Sequence, residues 1–178
     1  MFSIFRKKPA GPKTDDKVLM SEQARLATLF KVWQNTPDTV FIFWFDESLE
    51  RAAAYFNQHQ AIAPVLLTAR EAAHRHGSGP VVFGEHYPVR AKEEELWQNL
   101  NLENVTIYSS LEEPLFQRFG GERIITLMKQ LGMEENETIS HTMISQSIRN
   151  AQEKIAKQVS FEQTAGSQED WFKKNLPA

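Results

Sequence analysis

The sequence contains no cysteine, which excludes disulfide bonds, thiolate metal sites, cysteine nucleophiles and iron–sulfur clusters. It also lacks any apolar run close to the ~18 residues of a membrane-spanning helix. An excess of basic residues is missing too: the formal net charge is −3 and the isoelectric point is about 6.0. Proteins with general affinity for nucleic acid are usually basic, so nucleic acid is not an expected partner.

What is present is an ordinary globular composition, with 41% hydrophobic and 24% charged residues in 178 positions. This length predicts one domain with appendages, and a domain of that size buries roughly 70% of the surface of its extended chain. We expect a basic segment and linker over 1–20, a single α/β domain with C-terminal helices over 21–160, and a tail over 161–178.

The first segment, 1–13, carries basic side chains and no acid. Its apolar residues precede its charges, which is the reverse of a secretory signal, and the absence of cysteine is compatible with a cytoplasmic location. The segment is either a solvated terminus or a weak peripheral contact with the anionic inner-membrane surface. The candidates for membrane contact are Phe2, Phe5, Arg6, Lys7 and Lys8. Pro9, Gly11, Pro12 and the pair Asp15-Asp16 indicate a linker after it.

Short apolar runs rich in β-branched and aromatic residues alternate with helical patterns between positions 21 and 110. This alternation predicts an α/β fold with about four parallel strands and helices on both faces of the sheet. The predicted strands are 39–45, 64–68, 81–84 and 105–108. The predicted helices are 21–34 with Ser21 as N-cap, one capped by Asp46 or Ser48, 70–76, and 89–100 with a charged face at 92–95.

From Leu111 onward the pattern is helical only. Leu115, Phe116 and Phe119 share one apolar face, Gly120-Gly121 interrupts, and a helix follows until Gly132 ends it. A longer helix is predicted to start near His141. Its apolar positions at 144, 148, 151, 155 and 159 form a seam that packs on its own domain, the more common outcome, or makes a homodimer. The structure of the tail stays open.

Ligands in open parallel sheets bind at the carboxyl ends of the strands. The candidate binding residues are Asp46, Arg70, Glu85, His86 and Arg90. Glu85 and His86 are either an acid–base pair, because histidine titrates near neutrality, or a cap for the helix after Pro88. The other histidines lack the spacing of metal ligands, so no metal and no cofactor are expected.

Five short segments with unusual sequences lie between Ser110 and Ile155: SLEEPLFQRF, ERI, LMKQLGM, ETISH and SIRNAQEKI. In their order and spacing they resemble the preprotein translocase ATPase SecA, where its second RecA-like domain enters the helical scaffold. A weaker resemblance extends upstream to Thr39 and includes GPVVFGEH with Arg90. The resemblance implies a truncated RecA-like fold, and a protein partner in export.

The departures from the family concern the motor. The P-loop G-x-x-x-x-G-K-[ST] that holds phosphate is absent, as are the acidic box and the segment A-G-R-G-T-D-I. The family's arginine fingers stabilise charge on the transferring phosphate; their place after Arg90 holds three glutamates at 93–95. We therefore expect no ATP hydrolysis and a non-catalytic domain that acts by protein contact. The alternative is a small-molecule-binding protein or enzyme that uses Asp46, Glu85 and His86.

Overall fold

A computed structural model describes residues 11–74 and 78–176. The predicted membrane contacts at Phe2, Phe5, Arg6, Lys7 and Lys8 lie outside these residues, as does the end of the predicted helix at His76. No helix among the described residues is long and apolar enough to cross a membrane.

The described chain forms a five-stranded sheet in which all neighbours are parallel. The strands are β1 (Lys13–Leu19), β2 (Val40–Phe43), β3 (Val65–Thr68), β4 (Val81–Phe83) and β5 (Asn104–Ser110). Their order across the sheet is β1-β5-β4-β2-β3. The predicted α/β class with a parallel sheet is thus confirmed, with five strands rather than about four.

The additional strand is β1, where a linker was predicted. It pairs with β5 over its whole length, from Lys13 opposite Asn104 to Leu19 opposite Ser110. Its free edge is partly covered, because Val18 and Ile139 exchange two backbone hydrogen bonds of 2.9 and 2.8 Å. Charged residues are common on edge strands, since they discourage pairing with other chains, and here they gave the strand the composition of a linker.

Helices cover both faces of the sheet, as predicted. They are α1 (Glu22–Asn35), α2 (Asp46–Gln58), α3 (Ala69–Ala72), α4 (Arg90–Asn99), α5 (Pro114–Gln117), α6 (Gly121–Gln130), α7 (Thr142–Ala156) and α8 (Gln168–Asn175). Alternate residues of β2 serve the two faces: Phe41 and Phe43 pack with α1 and α2, and Val40 and Ile42 pack with Leu96 and Trp97 of α4.

Helix starts test the predicted caps. Ser21 caps α1, because its hydroxyl accepts a 3.1 Å hydrogen bond from Ala24 N. The cap predicted at Asp46 or Ser48 was wrong: α2 starts at Asp46 after Phe45, with no side-chain cap. The helix predicted from Arg70 is the single turn α3, which Thr68 and Glu71 close with a capping box.

The C-terminal helices pack on the rest of the domain. Ile148, Ala151 and Ile155 of the predicted seam are buried, so this part of α7 covers its own domain as expected. The tail, left open from sequence, ends in α8, whose Trp171 is fully buried in a cluster with Phe45. The helix α6 is bounded by Gly120 and Gly132, both with positive φ.

Candidate functional site

The sheet changes direction between β2 and β4. The chain moves outward from β2 to β3, returns to β4, and then moves the other way to β5. The carboxyl ends of these two central strands therefore form the crevice in which open parallel sheets bind their ligands.

Glu85 fills this crevice with its own carboxylate. One oxygen, Oε1, accepts hydrogen bonds from the backbone N–H of Trp44 (2.8 Å) and Phe45 (3.0 Å), and Oε2 accepts one from Ser48 Oγ (2.6 Å). The side chain is 1% exposed. The preceding residue is glycine because a Cβ on Gly84 would lie 2.1 Å from the ring of Phe43.

The charge of Glu85 depends on its burial. Burial raises its pKa to about 7; the Arg25 guanidinium opposes this and the Glu113 carboxylate reinforces it. A carboxyl with this pKa is partly protonated at neutral pH. Such a value at a strand end often marks a catalytic acid, but here hydrogen bonds to the protein itself occupy both oxygens.

Arg25 ties three elements together beside Glu85. Its Nη1 donates to Glu113 Oε1 (2.7 Å) and to the Gly84 carbonyl (2.8 Å), and its Nη2 lies 3.2 Å from Glu22 Oε1. Arg25 is 1% exposed and Glu113 is 8% exposed. The guanidinium therefore links α1 to the end of β4 and to the turn before α5.

His86 belongs to a different network from Glu85. Its Nδ1 lies 2.9 Å from Glu93 Oε1, and its Nε2 makes a 3.0 Å charge contact with Asp16 Oδ1. Burial alone would lower the pKa of His86, but the two carboxylates outweigh it and raise the pKa to about 10. The ring is accordingly a buried imidazolium at neutral pH. The same contact lowers the pKa of Asp16 in spite of its burial.

Glu93 is the centre of this second network, although a charged surface was predicted for 92–95. Its side chain is buried and also accepts hydrogen bonds from Tyr87 N (2.8 Å) and Gln152 Nε2 (2.9 Å). The signal for this burial is its spacing: positions 93, 96, 97 and 100 share one helix face. Since Gln152 lies in α7, Glu93 connects the sheet to the helical region that contains the SecA-like segments.

The structure brings together only part of the predicted site. Glu85 and His86 share no hydrogen bond or ion pair, so they form no acid–base pair, and α4 has no side-chain cap from either of them. Arg90 pairs with Glu94 at 3.1 Å and lies over the Trp97 ring. Asp46 and Arg70 are exposed and join neither network.

Two openings lie near these networks. A polar cavity of about 190 Å³ adjoins Glu85, Arg25 and Glu113 at the carboxyl edge of the sheet. An apolar groove of about 330 Å³ lies between α5, α6 and α7, and its floor includes Val18 and Leu111. Arg25 and Glu113 were missed from sequence because 88 positions separate them.

Comparison with known proteins gives protein translocase subunits as relatives of part of the chain. Over 48 residues the chain is 54% identical to the protein translocase subunit SecA of Christiangramia forsetii and 46% identical to that of Acinetobacter baumannii. Over 51 residues it is 49% identical to that of Chlorobium limicola. No family model matches the chain.

These matches are short on both sides. They cover 27–29% of this chain and only 4–5% of the relatives' length. The resemblance to SecA that the short sequence segments predicted is thus confirmed for a partial domain.

Proposed function

We propose that this protein is a non-catalytic SecA-like domain that acts by binding another protein and is accessory to protein export. The link to export rests on the relatives, which are protein translocase subunits. The binding mode rests on one structural observation: the apolar groove of about 330 Å³ lies in the region of the SecA-like segments and is open to solvent.

The surface around the groove supports a docking role. Helix α6 carries Ile124, Leu127 and Leu131, which are 36%, 50% and 72% exposed, and Phe119 before it is 44% exposed. Clustered apolar exposure of this kind is typical of interaction sites. Burying one such side chain fully contributes about 1.5–3 kcal/mol. The proposed occupant is an amphipathic helix of a translocase protein, which would place its apolar face in the groove.

The chemistry of the crevice favours binding over catalysis. The sequence has no P-loop, and the Glu85 carboxylate occupies the position where a ligand phosphate would approach the ends of β2 and β4. The backbone N–H groups of Trp44 and Phe45 that could hold a phosphate already donate to Glu85, and the ionised fraction of this carboxyl repels a phosphate. The glutamates that stand after Arg90 include Glu93, whose side chain is committed to His86 and Gln152.

A small-molecule-binding protein or enzyme is the alternative, and it has less support. It requires access to Glu85 and His86, which are 1% and 0% exposed, and a role for Asp46, which stands apart from both. An assay with purified protein separates the two proposals. ATP hydrolysis that a single substitution at Glu85 abolishes would favour the enzyme.

The docking proposal is tested by site-specific crosslinking. A photoreactive amino acid replaces Phe119, which lines the groove and is 44% exposed, or, as a matched control, Ile62, which is 85% exposed but outside the groove. The protein is mixed with membranes that contain the protein translocase. Crosslinks from position 119 to a translocase subunit, absent from position 62, are expected. Equal labelling from both positions, or labelling from neither, contradicts the proposal.

Peripheral membrane contact is a separate part of the proposal. The basic and aromatic residues Phe2, Phe5, Arg6, Lys7 and Lys8 would give weak binding, since each cation contributes about 1 kcal/mol near an anionic bilayer. Co-sedimentation with anionic vesicles should drop after deletion of 1–8 and should remain absent with neutral vesicles. Unchanged binding after the deletion would refute this part alone.

A further inference from the structure

The polar cavity at the carboxyl edge of the sheet has a strongly acidic wall. It lies where α1, α2 and α8 begin, and its volume is about 190 Å³. For comparison, a cavity of ~150 Å³ accommodates a benzene molecule. The acidic residues that line it are Glu22, Glu47, Glu85, Glu112, Glu113 and Glu169.

Only two cationic side chains share this wall, and both are already paired. Arg25 binds Glu113 at 2.7 Å and Glu22 at 3.2 Å. Arg51 binds Glu22 at 3.0 Å and also Glu47. Negative charge therefore exceeds positive charge within the lining, and the terminal nitrogens of both arginines are engaged by the protein's own carboxylates.

Glu113 provides an independent sign of a missing partner. Its side chain is about nine-tenths buried, yet Oε2 has no hydrogen-bond partner among the described residues. A buried carboxylate oxygen without a donor is costly. Burial raises the pKa of Glu113, although the Arg25 guanidinium opposes this shift. The Glu113 carboxylate in turn raises the pKa of Glu85. A cation between them would relieve both effects.

The helix ends around the cavity do not reverse this preference. A helix N-terminus attracts anions, but the first turns of α1, α2 and α8 already contain Glu22, Glu47 and Glu169. These carboxylates offset the helix dipoles from within the protein. The positions that would otherwise attract phosphate are thus taken by the chain's own acids.

We propose that this cavity binds an organic cation, the side-chain head group of an arginine or lysine on a peptide, with Glu113 Oε2 as hydrogen-bond acceptor. The carboxylates stand around the wall, and the described residues contain no group of three histidine, aspartate or glutamate side chains that could hold a metal ion. The lining of this cavity shares no residue with that of the apolar groove, and the inference does not rest on the export proposal.

The test titrates the full chain with small probes while backbone amide shifts are recorded by NMR. N-acetyl-arginine amide and N-acetyl-lysine amide are the cationic probes; N-acetyl-citrulline amide, a neutral isostere of arginine, is the control. Shifts at Ser110 and Glu22 are expected with the cations and not with citrulline. Because a hydrogen bond to a charged group is worth roughly a factor of ten or more in affinity, Glu113→Gln should weaken binding about tenfold.

A second variant keeps the test informative if Glu113→Gln does not fold. Glu169→Gln changes an exposed lining residue and should weaken binding severalfold, whereas Glu135→Gln, also exposed but outside the cavity, should leave it unchanged. Equal shifts with citrulline amide would mean that the unpartnered Nε of Arg25 takes a carbonyl, and would overturn the proposal. Tighter binding of Mg²⁺ than of either organic cation, or no shift with any probe, would also overturn it.

Discussion

Two buried charge networks meet at the end of β4. Both hold charged groups away from water, but a different kind of group has its pKa shifted in each. In the first, Arg25 faces Glu113 and Glu85, and the carboxyls respond to burial: the pKa of each is raised. In the second, Asp16 and Glu93 enclose His86, and the histidine responds: its pKa rises to about 10. A permanent cation leaves the acids to accept a proton, whereas a titratable cation between two acids is itself held charged.

The difference also separates their structural roles. The Arg25 network borders the polar cavity and contains an oxygen without a partner, Glu113 Oε2. The His86 network lines neither the polar cavity nor the apolar groove, and it joins β1, the loop after β4, α4 and α7 through Asp16, Glu93 and Gln152. We therefore expect the second network to matter most for folding, and the first to be the more adjustable.

The largest effect is expected from His86→Leu. It removes the cation that lies between the buried Asp16 and Glu93 carboxylates and leaves the longer 3.4 Å contact of Glu93 with Arg90 in place. Removing one partner of a buried charge pair typically costs about 3–5 kcal/mol. Urea unfolding at neutral pH should show this loss. The matched control is His74→Leu, at an exposed position, which should change the free energy of unfolding by less than ~0.5 kcal/mol. Similar small losses for both variants would contradict the structural role of the His86 network.

Arg25→Met should cost somewhat less, about 2–4 kcal/mol at pH 8. The orphaned carboxyls, Glu113 and Glu85, already have raised pKa values and can take up protons. The loss should therefore be smaller at pH 5 than at pH 8, as measured by urea unfolding at both pH values. A loss that is equal at both would mean that the acids do not respond in the way the comparison requires. Lys31→Met, at an exposed position of the same helix, is the control.

Sequence reasoning located the sheet and the SecA-like helices because both leave local patterns. The residues around Phe41 and Phe43 form the uninterrupted apolar run of a strand that is covered on both faces. The SecA-like helical segments follow one another closely in the sequence. The missed strand β1 has no such pattern. Its Asp16 is buried beside His86, which follows β4, and a contact between residues 16 and 86 of the chain leaves no local mark.

The candidate site was half predictable for the same reason. Glu85 and His86 were found because they follow a strand directly. The charged neighbours of these two residues were not recognised: Asp16 was assigned to a linker, Glu93 to a charged helix face, and Arg25 was not singled out. For Glu93 a local signal existed, its helical spacing to Leu96 and Trp97, whereas for Arg25 only the folded chain reveals the 2.7 Å contact with Glu113.

A smaller effect is expected where α7 joins the second network. Gln152→Ala removes the hydrogen bonds to Glu93 Oε2 (2.9 Å) and to the Tyr87 carbonyl (2.7 Å), and leaves both acceptors buried, at a cost of about 1–3 kcal/mol. Gln146→Ala on the same helix, whose amide meets only the exposed Asn150 side chain, should cost less than ~0.5 kcal/mol. Urea unfolding compares the two; equal values would detach α7 from the network.

The smallest effect, and the one that separates the two networks by pH, is expected from Glu85→Gln. Burial raises the pKa of Glu85 to about 7 from its ordinary 4.5, so the folded protein keeps a proton that the unfolded chain has released. Its contribution to stability is therefore lost as pH rises from about 4.5 to 7. His86 acts in the same direction but in a higher pH window, from its ordinary pKa of 6.5 to about 10.

Glutamine at position 85 is neutral and similar in shape to glutamate, so it should change the free energy of unfolding by less than ~1 kcal/mol at pH 5. It should flatten the lower window while leaving the upper one intact. Urea unfolding across pH 4.5 to 10 covers both windows, and an unaltered fall between pH 5 and 7 would assign that proton to another group.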